Sequence, residues 1–212
     1  VDPVDDFRMP ILDHIRELRD RLIRSLWVLA VTLGVSFFFS RDLFDWIAAP
    51  MNQALRDTGT GTLAVTEATE GLLVQMKVAG LSGLFLASPF LFFQIWQFVS
   101  PGLYDQEKKH VVPLAFTSTV LFVTGAAFAY FGVFKFGFPF FLQMNGPDVT
   151  AVLSINSYLT FAMTLLVAFG AAFQLPVVIF FLARLGIINH RDLIRGFRYS
   201  IVAIAIVAAI LT

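Results

Sequence analysis

Apolar residues dominate long stretches of this chain, and polar residues are concentrated in the shorter segments between them. A transmembrane helix needs about 20 consecutive, mostly apolar residues. Several stretches approach or exceed this length, and we predict membrane-spanning helices over residues 22–39, 74–101, 111–135 and 156–183. A further apolar stretch, residues 198–212, reaches the end of the sequence, and we expect it to be the beginning of another span.

The N-terminal segment, residues 1–21, is of a different kind, because charged and apolar side chains alternate in it with helical spacing. Positions three or four residues apart share one face of a helix. One face of the segment is apolar and includes Ile11, Ile15, Leu18 and Leu22. The other face carries basic and acidic groups in i,i+4 pairs, among them Glu17 with Arg21. We interpret the segment as an amphipathic helix on the membrane surface that continues into the first span.

Basic residues are distributed unevenly between the two predicted sides of the membrane. Residues 1–24 and the loops around 105–110 and 184–198 contain most of the arginines and lysines, whereas residues 139–155 contain none. Loops rich in arginine and lysine remain on the cytoplasmic side. We therefore predict an all-α polytopic membrane protein, a single transmembrane domain over residues 1–212, with a cytoplasmic N-terminus.

The composition is typical of a membrane protein and excludes several kinds of chemistry. Hydrophobic residues make up 58% of the chain and charged residues 14%, with a mean hydropathy of +0.78, whereas about a quarter of the residues of a soluble domain are charged. The absence of cysteine excludes thiol catalysis and cysteine metal sites. The histidines lie at the predicted membrane edge, so no serine at membrane depth has a histidine base within reach. We predict no enzymatic activity, no cofactor or metal, and no nucleic-acid partner.

Two carboxylates at the predicted cytoplasmic edge are candidates for binding. Glu17 lies in the N-terminal helix and Glu107 in the loop between the second and third spans. Surface carboxylates usually pair with nearby cations, here Glu17 with Arg21 and Glu107 with Lys108 or Lys109. Alternatively, the two together suit a peptide with two adjacent arginines, because a guanidinium binds a carboxylate through two parallel hydrogen bonds.

Four residues within or near the spans carry further expectations. The amide of Gln174 must find a hydrogen-bond partner inside the membrane, either on another helix of this chain or on a helix of another subunit. Gly170 and its small neighbours would let such a helix approach closely. Pro50 should bend or end a short amphipathic helix in the first outer loop, and Pro89 should kink the second span.

Several segments, in order along nearly the whole chain, carry a family resemblance. They are residues 14–22, 88–90, 94–109, 128–131 and 169–176. Together they resemble TatC, the membrane receptor subunit of the twin-arginine protein translocase. The resemblance implies six spans, of which five are present here with the last incomplete, and a cytoplasmic membrane of bacteria or archaea rather than a thylakoid.

The resemblance also implies roles for individual residues. Glu17 and Glu107 would bind the twin-arginine signal peptides of folded cargo proteins, and Arg19, Phe98 and Leu103 would shape or support that site. Gln174, where many relatives carry a glutamate, would contact a partner subunit. Pro50 and Pro89 would be structural.

Partners and energy source follow from the same resemblance. The family assembles with single-span subunits of the TatA and TatB type into an oligomeric complex in the lipid bilayer, and the proton-motive force drives export. Two alternatives to a translocase subunit stay open. One is a small-solute secondary transporter, which would be expected to have buried charge and internal symmetry; the other is a scaffold for single-span membrane proteins.

Overall fold

The computed structural model of this protein describes residues 11–59, 61–99, 111–144 and 151–184. Its elements in chain order are α1 (Ile11–Phe38), α2 (Ser40–Thr58), β1 (Gly61–Ala64), α3 (Glu70–Val99), α4 (Val111–Phe128), a π-helical turn (Ala129–Val133), α5 (Phe134–Gln143), β2 (Ala151–Ser154), α6 (Ile155–Ala172) and α7 (Leu175–Arg184).

The described helices confirm an all-α polytopic membrane protein. Four helical segments are long and apolar enough to cross a membrane: Asp13–Phe38, Glu70–Val99, Val111–Gln143 and Ile155–Arg184. α1 joins the described part of the predicted amphipathic segment, from Ile11 on, to the first span in one continuous helix. The fifth predicted span, residues 198–212, lies outside the described residues.

One boundary differs from the sequence-based expectation. The third span continues as a helix through Pro139 to Gln143, where we expected a loop. Phe134, Phe138 and Leu142 recur at i,i+4 spacing there and are buried, and α5 packs against α2. This packing stabilises a helix that the proline alone would disfavour. Within the fourth span, a turn at Gln174 separates α6 from α7.

Pro50 does not end α2, because tertiary contacts replace the hydrogen bond that it removes. A proline within a helix leaves the carbonyl four residues earlier without its N–H donor. For Pro50 this is the carbonyl of Trp46, which instead accepts a hydrogen bond of 2.6 Å from Tyr130 Oη. The Tyr130 ring also stacks on the Trp46 indole, with centroids 4.2 Å apart. The arrangement supports a structural role for Pro50.

The same compensation occurs at Pro89 within α3. The carbonyl that loses its donor is that of Phe85, and it accepts a 2.7 Å hydrogen bond from Ser88 Oγ. Ser88 is buried, at 2% exposure, so its hydroxyl would otherwise be unsatisfied. The serine that precedes the proline therefore satisfies both its own hydroxyl and the released carbonyl.

A two-stranded parallel sheet connects the loop before α3 with the loop before α6. Gly61 pairs with Ala151 and Ala64 with Ser154 at the two ends of the register. Sequence analysis did not predict this sheet, because strands of four residues carry no periodic pattern that distinguishes them from a loop. Together with α2 it covers the end of the bundle opposite to the N-terminus of α1.

Two glycines permit close helix packing within the chain. A Cβ on Gly83 of α3 would lie 2.9 Å from the backbone of Leu33 in α1. A Cβ on Gly170 of α6 would lie 2.7 Å from the Phe122 ring of α4. Gly170 therefore accommodates a helix of the same chain, and the space that we expected it to leave for another subunit is already filled.

Candidate functional site

The antiparallel contact between α1 and α3 builds the candidate site. The two helices pack along each other, so the N-terminal turns of α1 lie beside the C-terminal turns of α3. Arg21 on α1 thereby meets Gln94 on α3, and His14 on α1 meets Phe98. Positive-inside analysis predicts that this end of the bundle is cytoplasmic.

Glu17 is held by Arg21 in the i,i+4 pair that the sequence predicts. Arg21 donates to Glu17 Oε1 from Nε, at 3.0 Å, and also from Nη2. Its remaining terminal nitrogen, Nη1, donates to Gln94 Oε1 at 3.3 Å. The Arg21 side chain is only 13% exposed, and Gln94 is buried. Arg21 thus orients the carboxylate and ties α1 to α3.

The second oxygen of Glu17 is unsatisfied. Oε2 is buried and has no hydrogen-bond partner among the described residues. His14 Nδ1 lies 3.7 Å from it, which is too long for a hydrogen bond. A buried carboxylate oxygen without a donor is costly. The geometry therefore presents one acceptor atom, next to an apolar wall, that is ready for an incoming donor.

An aromatic stack forms that wall. The imidazole of His14 lies 4.3 Å from the ring of Phe98, centroid to centroid, with 12° between the ring planes. Phe98, a candidate from the sequence, is therefore one contact away from Glu17. His14 and Gln94 belong to the site, and the sequence analysis did not select them. The i,i+3 spacing of His14 and Glu17, and the i,i+4 spacing of Gln94 and Phe98, are the signals that could have identified them.

Arg19 does not join this group. Its guanidinium donates to Asp20 Oδ1 from Nε and Nη2, at 3.0 and 2.9 Å, and its side chain is 67% exposed. Arg16 likewise pairs with Asp13 rather than with Asp20, four residues later, which the spacing also allowed. Glu107 and Leu103 lie outside the described residues.

An apolar surface adjoins the carboxylate along α1. Its exposed members are Ile15, Leu18, Leu22 and Leu26, each between 46% and 58% exposed. This is the apolar face that the sequence predicts, and it lies beside the side of the helix that carries His14 and Arg21 towards α3. The site thus combines one buried, unpaired carboxylate oxygen with an exposed apolar stripe along α1.

Gln174 lies at the break between α6 and α7, and its amide is paired within the chain. Nε2 donates to the carbonyl of Ser118 in α4 at 2.9 Å. The Ser118 hydroxyl accepts a 2.8 Å hydrogen bond from the indole of Trp96 in α3. The structure therefore shows the bond within the chain, one of the two that we considered. Contact with another subunit stays a prediction.

Comparison with known proteins identifies the family. Residues 13–212 match the family model described as Sec-independent protein translocase protein (TatC). The chain belongs to the TatC family. A TatC from Desulforapulum autotrophicum is 38% identical and is aligned over 98% of this chain and 76% of its own length. A TatC from Deinococcus radiodurans is 37% identical, over 96% of this chain and 76% of its own length.

A solved structure agrees with this assignment. The crystal structure of the twin arginine translocase receptor TatC in DDM superposes with a TM-score of 0.84 at 34% identity. The match covers 94% of this chain and 88% of the crystallised one. This TatC-family chain is therefore a multi-pass integral protein of the cytoplasmic membrane and a component of a protein translocase. Membership favours that interpretation over a solute transporter. In the part of the chain that the structure describes, no group of three or more metal-ligating side chains occurs.

Proposed function

We propose that this TatC-family protein binds the twin-arginine signal peptides of folded precursor proteins at the cytoplasmic end of α1 and α3. The observation that carries the proposal is the buried, unpaired Oε2 of Glu17. An arginine of the peptide would donate to this oxygen while Arg21 keeps Oε1. The carboxylate would then be fully satisfied only in the bound state.

The surroundings of Glu17 favour arginine over lysine. A guanidinium is planar, is weakly hydrated and stacks on aromatic rings, whereas an ammonium is a strongly hydrated point charge. The stacked rings of His14 and Phe98 offer such a surface next to the carboxylate. A hydrogen bond between charged partners contributes about 1.5–3 kcal/mol. The apolar stripe along α1 would receive the apolar part of the signal peptide.

The remaining candidates complete the proposed receptor. Glu107 would bind the second arginine, and Leu103 would shape its pocket. Arg19 pairs with Asp20 on the surface and would support the site without contacting the peptide.

Peptide binding to the purified chain in detergent or nanodiscs tests this proposal. The experiment compares an Arg-Arg peptide with its Lys-Lys counterpart on the unmodified chain, on Glu17→Gln and on the double variant Glu17→Ala/Glu107→Ala. We expect Glu17→Gln to weaken Arg-Arg binding about tenfold or more and to reduce the preference over Lys-Lys.

Asp13→Asn is the matched control, because Asp13 is an exposed carboxylate of the same helix that pairs with Arg16. Its affinity for the Arg-Arg peptide should equal that of the unmodified chain. Equal binding of both peptides to all variants would contradict the proposal and favour a scaffold that binds apolar segments.

We further propose that α7 and the break at Gln174 contact a single-span partner subunit of the TatA or TatB type within an oligomeric complex driven by the proton-motive force. Ala171, Leu175 and Phe180 are exposed near the break, so a partner helix could approach there although Gly170 is filled. Loss of partner co-purification in Leu175→Asn, with retention in Leu86→Asn on α3, would support this contact; Leu86 is also an exposed apolar residue.

A further inference from the structure

Lys77 on α3 is a cation whose nearest partners are neutral. Its Nζ donates to Asn156 Oδ1 at 2.6 Å and to Thr160 Oγ1 at 2.7 Å, both on α6. An ammonium group carries three N–H donors, so one donor remains beyond these two bonds. Thr160 is exposed and Lys77 is half-buried, so the ammonium lies at the surface of the bundle rather than in its core.

No carboxylate neutralises this lysine among the described residues. None of their ion pairs includes Lys77. The closest acidic residue along α3, Glu70, is occupied: its two oxygens accept hydrogen bonds from Thr66, Glu67, Ser154 and Asn156. The positive charge of Lys77 is therefore available to bind an anionic ligand.

The position of Lys77 along α3 sets the depth of such a ligand. A helix rises about 1.5 Å per residue, which makes the 30 residues of α3 about 45 Å long. The hydrocarbon core is about 30 Å thick. When the excess is shared between the two ends, Lys77 lies a few ångströms inside the boundary next to α2. A lysine at that depth extends its ammonium to the level of the lipid headgroups.

The surface around Lys77 suits an acyl chain. Leu73, one turn earlier on the same face, is 42% exposed. Gly80, one turn later, leaves open space: a Cβ there would meet no atom within 4 Å. The space beside Gly80 lies on the side of Lys77 nearer the middle of the membrane and leaves room there for an acyl chain.

We propose that Lys77, Asn156 and Thr160 form a binding site for the phosphodiester of a phospholipid in the leaflet next to α2, with an acyl chain lying along Gly80. Lys77 would donate its third N–H to a phosphate oxygen in a charge-assisted hydrogen bond. The site lies at the opposite end of α3 from Glu17 and is independent of the proposed signal-peptide function.

Native mass spectrometry of the purified chain with added phosphatidylglycerol tests the proposal. Lys77→Gln keeps a hydrogen-bond donor for Asn156 or Thr160 and removes the charge, so the fold should persist. We expect about tenfold weaker phosphatidylglycerol binding in this variant and near-normal binding in Lys77→Arg. A diacylglycerol glucoside, which lacks phosphate, should bind the unmodified chain weakly. Its affinity should not exceed the affinity of phosphatidylglycerol for Lys77→Gln.

Lys135→Gln is the matched control, because Lys135 is an exposed lysine beside the ring of Phe136. Gly80→Leu fills the open space and should also weaken lipid binding while the charge stays in place. Equal lipid binding by Lys77→Gln and Lys135→Gln would overturn the proposal. Stronger lipid binding by Asp148→Asn than by the unmodified chain would also overturn it, because Asp148 would then be the counter-ion of Lys77.

Discussion

Two glutamates at opposite ends of α3 differ in how completely their oxygens are satisfied. Glu70, at the end covered by α2, is 2% exposed. One of its oxygens accepts from the Thr66 backbone at 2.5 Å, the Thr66 hydroxyl at 3.1 Å and the Glu67 backbone at 3.2 Å. The other accepts from Ser154 Oγ at 2.7 Å and the Asn156 backbone at 2.6 Å.

Glu17, beside the other end of α3, has only one satisfied oxygen. Glu70 joins three parts of the chain and caps the N-terminus of α6, where a carboxylate is favourable. Because both of its oxygens already accept hydrogen bonds, Glu70 has no free acceptor for a ligand. The half-satisfied Glu17 retains an acceptor for the recognition proposed above. Complete pairing thus distinguishes Glu70 from Glu17, the proposed binding residue.

The largest effect on stability is expected from Glu70→Gln. The amide would replace an acceptor oxygen by a donor and leave backbone N–H groups in the loops without partners. We expect the melting temperature in detergent to fall by roughly 10 °C, with Arg-Arg peptide affinity of the folded fraction unchanged. Thermal unfolding followed by tryptophan fluorescence measures this. Glu67→Gln is the control, since Glu67 contributes only its backbone N–H to the network. Equal melting temperatures for both variants would contradict the structural role of Glu70.

Tyr130→Phe is expected to have the next largest effect on stability. It leaves a backbone carbonyl without a donor at the same end of the bundle as Glu70. The ring stack on Trp46 would remain, but the Trp46 carbonyl would lose its donor. An unsatisfied buried acceptor costs about 1–3 kcal/mol. Pro50→Ala would restore the helical N–H for that carbonyl. A double-mutant cycle should therefore show a smaller cost of Tyr130→Phe in the Pro50→Ala background. Additive costs would show that the tyrosine does not compensate for the proline.

The same comparison explains which features the sequence predicts. Hydropathy locates the spans because about 20 apolar residues leave few alternatives in a membrane, and the i,i+4 rule predicts the pair of Glu17 and Arg21. Both signals are local. The helix through Pro50 was not predictable, because its compensating donor, Tyr130, is 84 residues away.

The Glu70 network was missed for a similar reason. Its partner Asn156 is 86 residues away, and no spacing rule relates the two. The sequence also could not predict that Glu17 Oε2 lacks a hydrogen-bond partner, since this depends on how α3 covers the carboxylate. Local pattern thus identified the candidate carboxylate, and only the packing showed which of its oxygens is open.

Glu17→Gln should show the reverse pattern to Glu70→Gln: the loss falls mainly on peptide affinity and not on the melting temperature. The amide oxygen can still accept from Arg21, and the atom that replaces Oε2 has no partner to lose. We expect a smaller fall in melting temperature than in Glu70→Gln, because the amide oxygen still accepts from Arg21, although peptide affinity falls. Measuring both quantities on one preparation separates binding from stability. A fall in melting temperature equal to that of Glu70→Gln would place Glu17 among the structural residues.

The smallest effect is expected from His14→Phe, which distinguishes the stacking of the His14 ring from the contact of its ring nitrogen. Phenylalanine keeps an aromatic ring against Phe98 but removes the nitrogen that lies 3.7 Å from Glu17 Oε2. Because that distance is too long for a hydrogen bond, we expect peptide affinity to stay within about threefold of the unmodified chain. His14→Ala removes the stack as well, and an aromatic pair contributes about 0.5–1.5 kcal/mol, so its affinity should fall further. Binding isotherms of the Arg-Arg peptide measure both variants. If His14→Phe weakens binding as much as His14→Ala, the imidazole nitrogen takes part in recognition, and the open oxygen of Glu17 is not the sole acceptor that the peptide uses.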